Sequence, residues 1–278
     1  MPYNILIVDD NRDMRAVVRA ILEQSGFSVG EAGDASEGLR QVLSEKFDLV
    51  LLDIMMPGMD GLTMLSRLRE KNPHLLVIIM TAYATPRAAV EALREQACDF
   101  LNKPFDAEQL ISAVRTALAL REEEFDIEVL SARPEWIEIS VPCTLAAIDP
   151  LERIMTQLTT ELPQKTRENV TYAFREMLRN AIEHGGKYNP TQRVEIGFLH
   201  TPRIILYRIK DPGEGFNIES LLHAAILNPP EDPMRHEQFR EQQGMRPGGF
   251  GILIAQQMVD EMVYNERHNE VILIKYLS

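Results

Sequence analysis

Two groups of residues in this sequence have the types and spacing for phosphoryl chemistry. Glu176 and Asn180 stand four apart in the run from Phe174 to Gly186, so on a helix they project from one side, one turn above the other. A carboxamide oxygen there can ligate Mg²⁺, and the carboxylate can take a proton from an attacking hydroxyl. Farther on, Asp211 is followed by Gly213 and Gly215. Asp211 can accept a hydrogen bond from an exocyclic amine such as adenine N6, and glycines without a Cβ let the backbone approach a flat ring. Gly248, Gly249 and Gly251 precede an apolar helical pattern, which offers bare N–H groups at a helix N-terminus to phosphates. The second group is Asp9, Asp10, Asp53, Thr81 and Lys103, each just after a short apolar run. Three converging carboxylates repel unless a cation sits among them, which points to Mg²⁺. The Lys103 ammonium and Thr81 hydroxyl suit phosphoryl oxygens. A carboxylate so placed can accept a phosphoryl group as an acyl phosphate.

The elements that must position these residues fall into two patterns. Apolar runs at Ile5–Val8, Phe27–Glu31, Leu49–Leu52, Leu75–Met80 and Cys98–Leu101 alternate with amphipathic stretches near Met14–Gln24, Ala35–Ser44, Leu62–Lys71, Pro86–Gln96 and Ala107–Leu120. Apolar strands separated by helices predict an α/β doubly wound, five-stranded parallel sheet. Its site lies beyond the carboxyl ends of the strands. A Pro-Gly turn after Asp53 would hold that carboxylate exposed at the sheet edge. Beyond it, strands are expected at Trp136–Val141, Arg193–Leu199, Ile204–Lys210 and Val271–Leu277, and helices at Pro150–Leu162, Thr166–His184 and Ile252–Met262. Segregated strands and helices predict an α+β two-layer sandwich. Gly185 or Gly186 would cap the helix after Asn180 in a left-handed conformation. The long stretch from Asn217 to Arg246 has the length of a lid.

The reading gives one domain at 1–121, a linker at 122–134 and a second domain at 135–278. Ile111, Val114, Leu118 and Phe125 are heptad-like in spacing. They are explained either by a helix running on toward Leu130, as a transmission helix or homodimer seam, or by an ordinary helix packed on the sheet. The 278 residues suffice for two cores, and the net charge of −13 without a basic stripe excludes nucleic-acid binding. Cys98 and Cys143 lack metal-type spacing, and no apolar run approaches membrane length. The expectation is a cytoplasmic protein with buried, reduced thiols and no membrane contact. The six histidines also lack ligand spacing, so structural roles are expected for the five after His74.

Residues 1–121 resemble the receiver domain of bacterial response regulators, the family of the chemotaxis regulator. The motifs are Asp9-Asp10, Asp53 with its Pro-Gly loop, Thr81-Ala82 and Lys103-Pro104-Phe105 in order. The resemblance implies that Asp53 is the phosphoacceptor, that the receiver catalyses its own phosphotransfer, and that an upstream sensor histidine kinase or phosphotransfer protein supplies the group. It implies Mg²⁺ on Asp10, Asp53 and the Met55 carbonyl with Asp9 in support. Thr81 and Phe100 would be a switch pair, the ring turning inward once Thr81 engages the phosphoryl group. Residues 135–278 resemble the Bergerat (GHKL) ATP-binding fold, and within it the anti-sigma-factor serine kinases. That implies Mg²⁺ on Asn180, adenine on Asp211 beside Gly213 and Gly215, phosphates at Gly248–Gly251, and Glu176 as general base. Where the family often has Gly-Thr before the last strand, this chain has His268-Asn269-Glu270.

The implied function is a response regulator whose Asp53 controls an ATP-dependent serine/threonine protein kinase in a partner-switching pathway. Its partner would be a STAS-domain anti-sigma antagonist or a sigma factor. The alternative is a non-catalytic ATP-binding module that sequesters such a partner. A histidine kinase fused to a receiver would need a phosphoacceptor histidine upstream of Glu176, and His74 sits instead in a receiver turn. A DNA-binding output lacks a basic reading helix.

Overall fold

The computed structural model describes residues 2–82, 85–122, 127–133, 136–216, 225, 228, 232, 234–242 and 249–277. The first sheet is β1 (Asn4–Val8), β2 (Ser28–Ala32), β3 (Leu49–Asp53), β4 (Leu76–Thr81) and β5 (Asp99–Asn102), in the order β2-β1-β3-β4-β5. All four pairings are parallel. Ile5–Val8, Leu49–Leu52 and Val77–Met80 are fully buried, as strands covered on both faces must be. The intervening helices are α1 (Arg12–Gln24), α2 (Ala35–Ser44), α3 (Gly61–Lys71), α4 (Pro86–Arg94) and α5 (Ala107–Glu122). Asn11, Asp34, Asp60 and Thr85 cap the first four by accepting from first-turn N–H groups, which satisfies donors that no helical bond can reach. Leu110, Ala113, Val114, Ala117 and Leu118 of α5 join the core beside β1, β3 and β4. Ile111 packs partly buried against the same cluster, so the heptad-like pattern is that of a helix on a sheet. Phe125 lies outside the described residues.

The expected helical run to Leu130 gives way to a strand. β6 (Glu128–Ala132) pairs antiparallel with β7 (Trp136–Pro142), and the Arg133 and Trp136 backbones bond across the turn. Segment 128–132, counted in sequence as linker, therefore belongs to the second sheet. That sheet continues with β8 (Arg193–His200), β9 (Ile204–Lys210), β10 (Glu261–Tyr264) and β11 (Glu270–Tyr276), in the order β10-β11-β9-β8-β7-β6. Strand β9 alternates between buried and half-buried positions, the mark of an antiparallel sheet packed on one face. On the other face Arg208 reaches Glu138, Glu195 and Glu270. Helix α6 is Ile148–Leu158, α7 Gln164–Asn180, α8 Arg235–Gln242 and α9 Gly251–Met258. Phe174 of α7 meets Tyr207 at 5.0 Å between ring centroids, and Tyr207 meets Phe198 at 5.1 Å.

Helix α9 stops four residues short of the expected Met262. Val259 is extended, and Glu261–Tyr264 is recruited as an edge strand by β11. Two compact units result, Met1–Ile127 with Asp149–Thr160, and Glu128–Ile148 with Glu161–Ser278. Within the first, Arg153 of α6 grips Asp99 of β5 with two guanidinium nitrogens, the Nε contact at 2.7 Å. No helix among the described residues is long and apolar enough to cross a membrane. Both cysteines are free thiols. Burial raises them, Cys98 to about 12 and Cys143 to about 11.

Candidate functional site

The parallel sheet delivers Asp9, Asp53 and Thr81 to one rim because each ends or follows a strand whose apolar residues fix its register. Lys103, just beyond β5, places its Nζ 2.5 Å from Asp9 Oδ2 and 2.6 Å from Asp53 Oδ2. The other oxygens are also held: Asn11 N–H donates to Asp9 Oδ1 at 2.9 Å and Met55 N–H to Asp53 Oδ1 at 3.1 Å. Asp9 and Asp53 are buried and Asp10 is exposed, with one ligand oxygen of each within 4.8 Å of the others. Three oxygen donors on one rim fit a hard divalent cation, and Lys103 supplies part of the neutralising charge. Burial pushes the Asp53 carboxyl above its ordinary value, against the pull of Lys103 and the Met55 N–H. Burial lowers Lys103, but its bonds to Asp53 and Asp9 outweigh this and leave it raised.

The Asp53 carboxylate is therefore buried rather than exposed at the sheet edge. Its loop folds back tightly: a Cβ on Gly61 would lie 2.0 Å from the Asp53 carbonyl oxygen, so only glycine lets α3 start there. Met55 is exposed and turns its N–H toward Asp53. Thr81 is buried at the end of β4. Phe100 already lies inside, 1% exposed, opposite Ile79 of β4. Its N–H donates to Asp99 Oδ1 at 2.7 Å.

In the second unit Glu176 and Asn180 occupy the last turns of α7, both half-buried. A Cβ on Gly251 would come within 2.6 Å of Glu176 Oε2, so the carboxylate lies against the N-terminus of α9, the positive end of that helix. Gly249 has φ +94°, and Gly248 lies outside the described residues. Asp211 follows β9 and accepts the Gly213 N–H at 2.8 Å. Burial raises its carboxyl, and the bond from Gly213 opposes the shift. Gly215 has φ +86°, and a Cβ there would be 1.7 Å from the Arg267 carbonyl oxygen. Its lack of a side chain thus serves packing against the β10–β11 turn.

The glycines after Asn180 do not cap α7 in a left-handed conformation. The helix widens into a π turn over Ala181–Gly185, and Gly186 has φ −87°; Lys187 and Tyr188 are the left-handed residues. Gly185 and Gly186 answer a different need. A Cβ on Gly185 would strike the Asp211 carboxylate at 2.3 Å, and one on Gly186 the Cys143 sulfur at 2.2 Å. They bring the end of α7 onto the Asp211 carboxylate and the Cys143 side chain. A glycine cradle beside the half-buried Asp211 carboxylate, together with the N–H groups that open α9, suits a purine nucleotide and its phosphates.

Most of the stretch from 217 to 246 lies outside the described residues. Of the rest, Ala225 donates to the Gly249 carbonyl at 2.8 Å, and buried His236 sets its ring edge-on to Phe250 at 4.4 Å. Sequence reasoning gave no role to Asn265 and Asn269: the Asn269 side chain ties the β10–β11 turn to the Asp211 loop, and that of Asn265 holds Asn269. The paired asparagines flanking an expected strand were the available signal.

Comparison with known proteins finds two family models on this chain. The family model for the response regulator receiver domain matches residues 5–115, and that for the histidine kinase-like ATPase domain matches residues 141–275. Transcriptional regulatory protein ZraR of Escherichia coli (strain K12) is 40% identical over 116 residues, covering 42% of this chain and 26% of that protein. DNA-binding transcriptional regulator NtrC of Salmonella typhimurium is 35% identical over 140 residues, 50% of this chain and 28% of that one. The chain thus spans about a quarter of the length of these curated relatives. A CheY-like receiver domain from Methanospirillum hungatei JF-1 superposes with a TM-score of 0.44 at 32% identity, covering 45% of this chain and 99% of that structure. With the acidic rim inside the first matched span and the glycine-rich site inside the second, the chain is a response regulator receiver domain followed by a histidine kinase-like ATPase domain.

Proposed function

We propose that this response regulator receives a phosphoryl group on Asp53 and thereby controls a serine/threonine protein kinase activity of its ATPase domain, in a partner-switching pathway. At the receiver, an Asp53 oxygen attacks the phosphorus of an upstream phosphohistidine or a small acyl phosphate. The new O–P bond forms as the donor's N–P or O–P bond breaks, and the donor leaves with the electron pair. Lys103 offsets the charge of the phosphorylated rim. Asp9, Asp10, Asp53 and the Met55 carbonyl would hold Mg²⁺, which when bound shields the entering phosphoryl oxygens. Thr81 would then turn its hydroxyl toward those oxygens, with buried Phe100 reporting the change through packing.

In the ATPase domain Asp211 would receive the adenine amine beside Gly213 and Gly215. Asn180 would hold the nucleotide's Mg²⁺, and Gly248, Gly249 and Gly251 would take the phosphates. Glu176 would accept the proton of a protein serine or threonine as its oxygen bonds to the γ-phosphorus. The bond to the β-phosphate breaks and ADP leaves. The observation that carries this reading is the Glu176 carboxylate against Gly251, which sets a base at the helix end where phosphates would gather. The protein partner is a STAS-domain anti-sigma antagonist or a sigma factor, reached within the cytoplasm.

The test is to incubate the full chain with γ-labelled ATP and host lysate, with and without acyl-phosphate treatment. Label on serine or threonine of a small protein, lost in Glu176→Ala, is expected. ATP binding without any labelled protein in either state removes the kinase and leaves a sequestering module.

A further inference from the structure

The backbone of the loop from Asp211 to Phe216 is fastened by one five-residue turn, Asn265–Asn269 between β10 and β11. The Asp211 N–H donates to the Asn269 carbonyl at 2.9 Å, and the Phe216 N–H to the Arg267 carbonyl at 3.2 Å. The Asn269 Nδ2 donates back to the Asp211 and Gly213 carbonyls, at 3.4 and 3.2 Å. The Asn269 carboxamide is itself oriented. Asn265 Nδ2 donates to Asn269 Oδ1 at 2.8 Å, while Asn265 Oδ1 accepts the Asn269 and Glu270 N–H groups at 3.1 and 3.3 Å. With its oxygen taken by Asn265, Asn269 has its amino end turned to the loop, where only donors are wanted. His268, held at φ +58°, adds a ring 5.4 Å from Phe216 and 5.6 Å from Tyr264.

We infer that the Asn265–Asn269 carboxamide pair is a clamp that positions Asp211 for base recognition, and so sets the preference of this site for a 6-amino purine. The inference rests on the reading of Asp211 as the adenine-facing carboxylate. Asn269 acts through the loop backbone. It grips the carbonyls on either side of the Asp211–Gly213 hydrogen bond, so the carboxylate direction follows the turn. This also gives the chain's departure to His268-Asn269-Glu270 a physical role: the turn holds the recognising loop from behind.

Calorimetry of the full chain with Mg-ATP and Mg-ITP tests the clamp, because inosine replaces the amine with a carbonyl oxygen and leaves the phosphates unchanged. Wild type should bind ATP more tightly than ITP. Asn269→Ala should weaken ATP about tenfold, the worth of one or two lost positioning hydrogen bonds, and ITP less than about twofold. Asn265→Ala, which keeps the Asn269 side chain but loses its orientation and two bonds to the turn backbone, should show the same selective loss to a smaller extent, and far-UV circular dichroism checks that both variants are folded. Equal weakening of both nucleotides, or a preference that survives in both variants, removes the clamp and leaves the Asp211 reading standing. A wild-type protein that binds ATP and ITP alike removes the Asp211 reading and the clamp with it.

Discussion

At the acidic rim the side chains hold one another, whereas at the glycine-rich site the backbone does the holding. Asp9 and Asp53 emerge from neighbouring parallel strands, and one ammonium, that of Lys103, contacts both. The two buried carboxylates share a cation delivered by the same sheet, so their arrangement follows once the strands are in register. Among the described residues Asp211 has no cation in contact; its carboxylate accepts a backbone N–H from Gly213, presses on Gly185 and depends on a distant turn for its loop. Glu176 likewise faces a helix end. The lesson is that a phosphoryl-accepting site can be fixed by charge neutralisation, while a nucleotide site must leave its backbone donors and one carboxylate uncommitted for the ligand.

That contrast yields four expectations. Asp53→Asn should abolish phosphorylation by acetyl phosphate altogether, read by intact-protein mass, while leaving Mg-ATP calorimetry at the other site unchanged in affinity. Added phosphate mass persisting on the Asp53→Asn variant would break the assignment of the rim. Next in size is Arg153→Ala. Asp99 is 1% exposed and Arg153 grips it through two nitrogens, so truncation strands a buried charge. It should lower stability by about 3 kcal/mol in urea unfolding, and the Asp99→Asn, Arg153→Met pair should recover most of the loss. A loss below about 1 kcal/mol would show the pair to behave like an exposed one.

The third expectation is a pH profile. Only the ionised Asp53 attacks, and burial raises its carboxyl. In the metal-free protein the Asp53 carboxyl, followed by NMR, should therefore titrate above the ordinary carboxylate range. Lys103→Met removes an opposing charge and should move the midpoint higher still. A profile flat down to about pH 4, near the ordinary carboxylate value, would contradict the burial argument.

The smallest effect is at Asp211, whose folded carboxyl is also raised. An acid with a higher pKa folded than unfolded loses stability as pH rises from the unfolded value through the folded one. Asp211→Asn removes that loss, so the ligand-free variant should melt slightly higher than wild type at about pH 8 and equally at about pH 3, while ATP binding weakens. A lower melting temperature under the alkaline condition would show that the carboxylate is structurally required.

The five parallel strands were readable because their apolar runs end in polar residues where the sheet ends. Asp9, Asp53, Thr81 and Lys103 were singled out on that ground and stand on one side of the sheet. Two local details were not readable. The Asp53 loop folds back through Gly61 and buries the carboxylate, and Phe100 is already inside. The stretch after α5 shows the limit more sharply. Apolar residues spaced like a helix suggested continuation toward Leu130, yet β7 offers unpaired backbone groups and takes 128–132 as a strand. Val259 to Tyr264 follows the same rule with β11.

Composition, strand periodicity and the order of acidic and glycine motifs were enough to define two folds, and they named the acidic rim and most of the glycine cradle. Those features are local, since a strand's apolar run and the residue at its end are adjacent in the chain. Only the tertiary structure decided that Gly185 makes room for Asp211, that Gly251 meets Glu176, and that Asn269 fastens the Asp211 loop from 58 residues away. Such contacts join segments with no shared periodicity, and they exist only once both layers have packed.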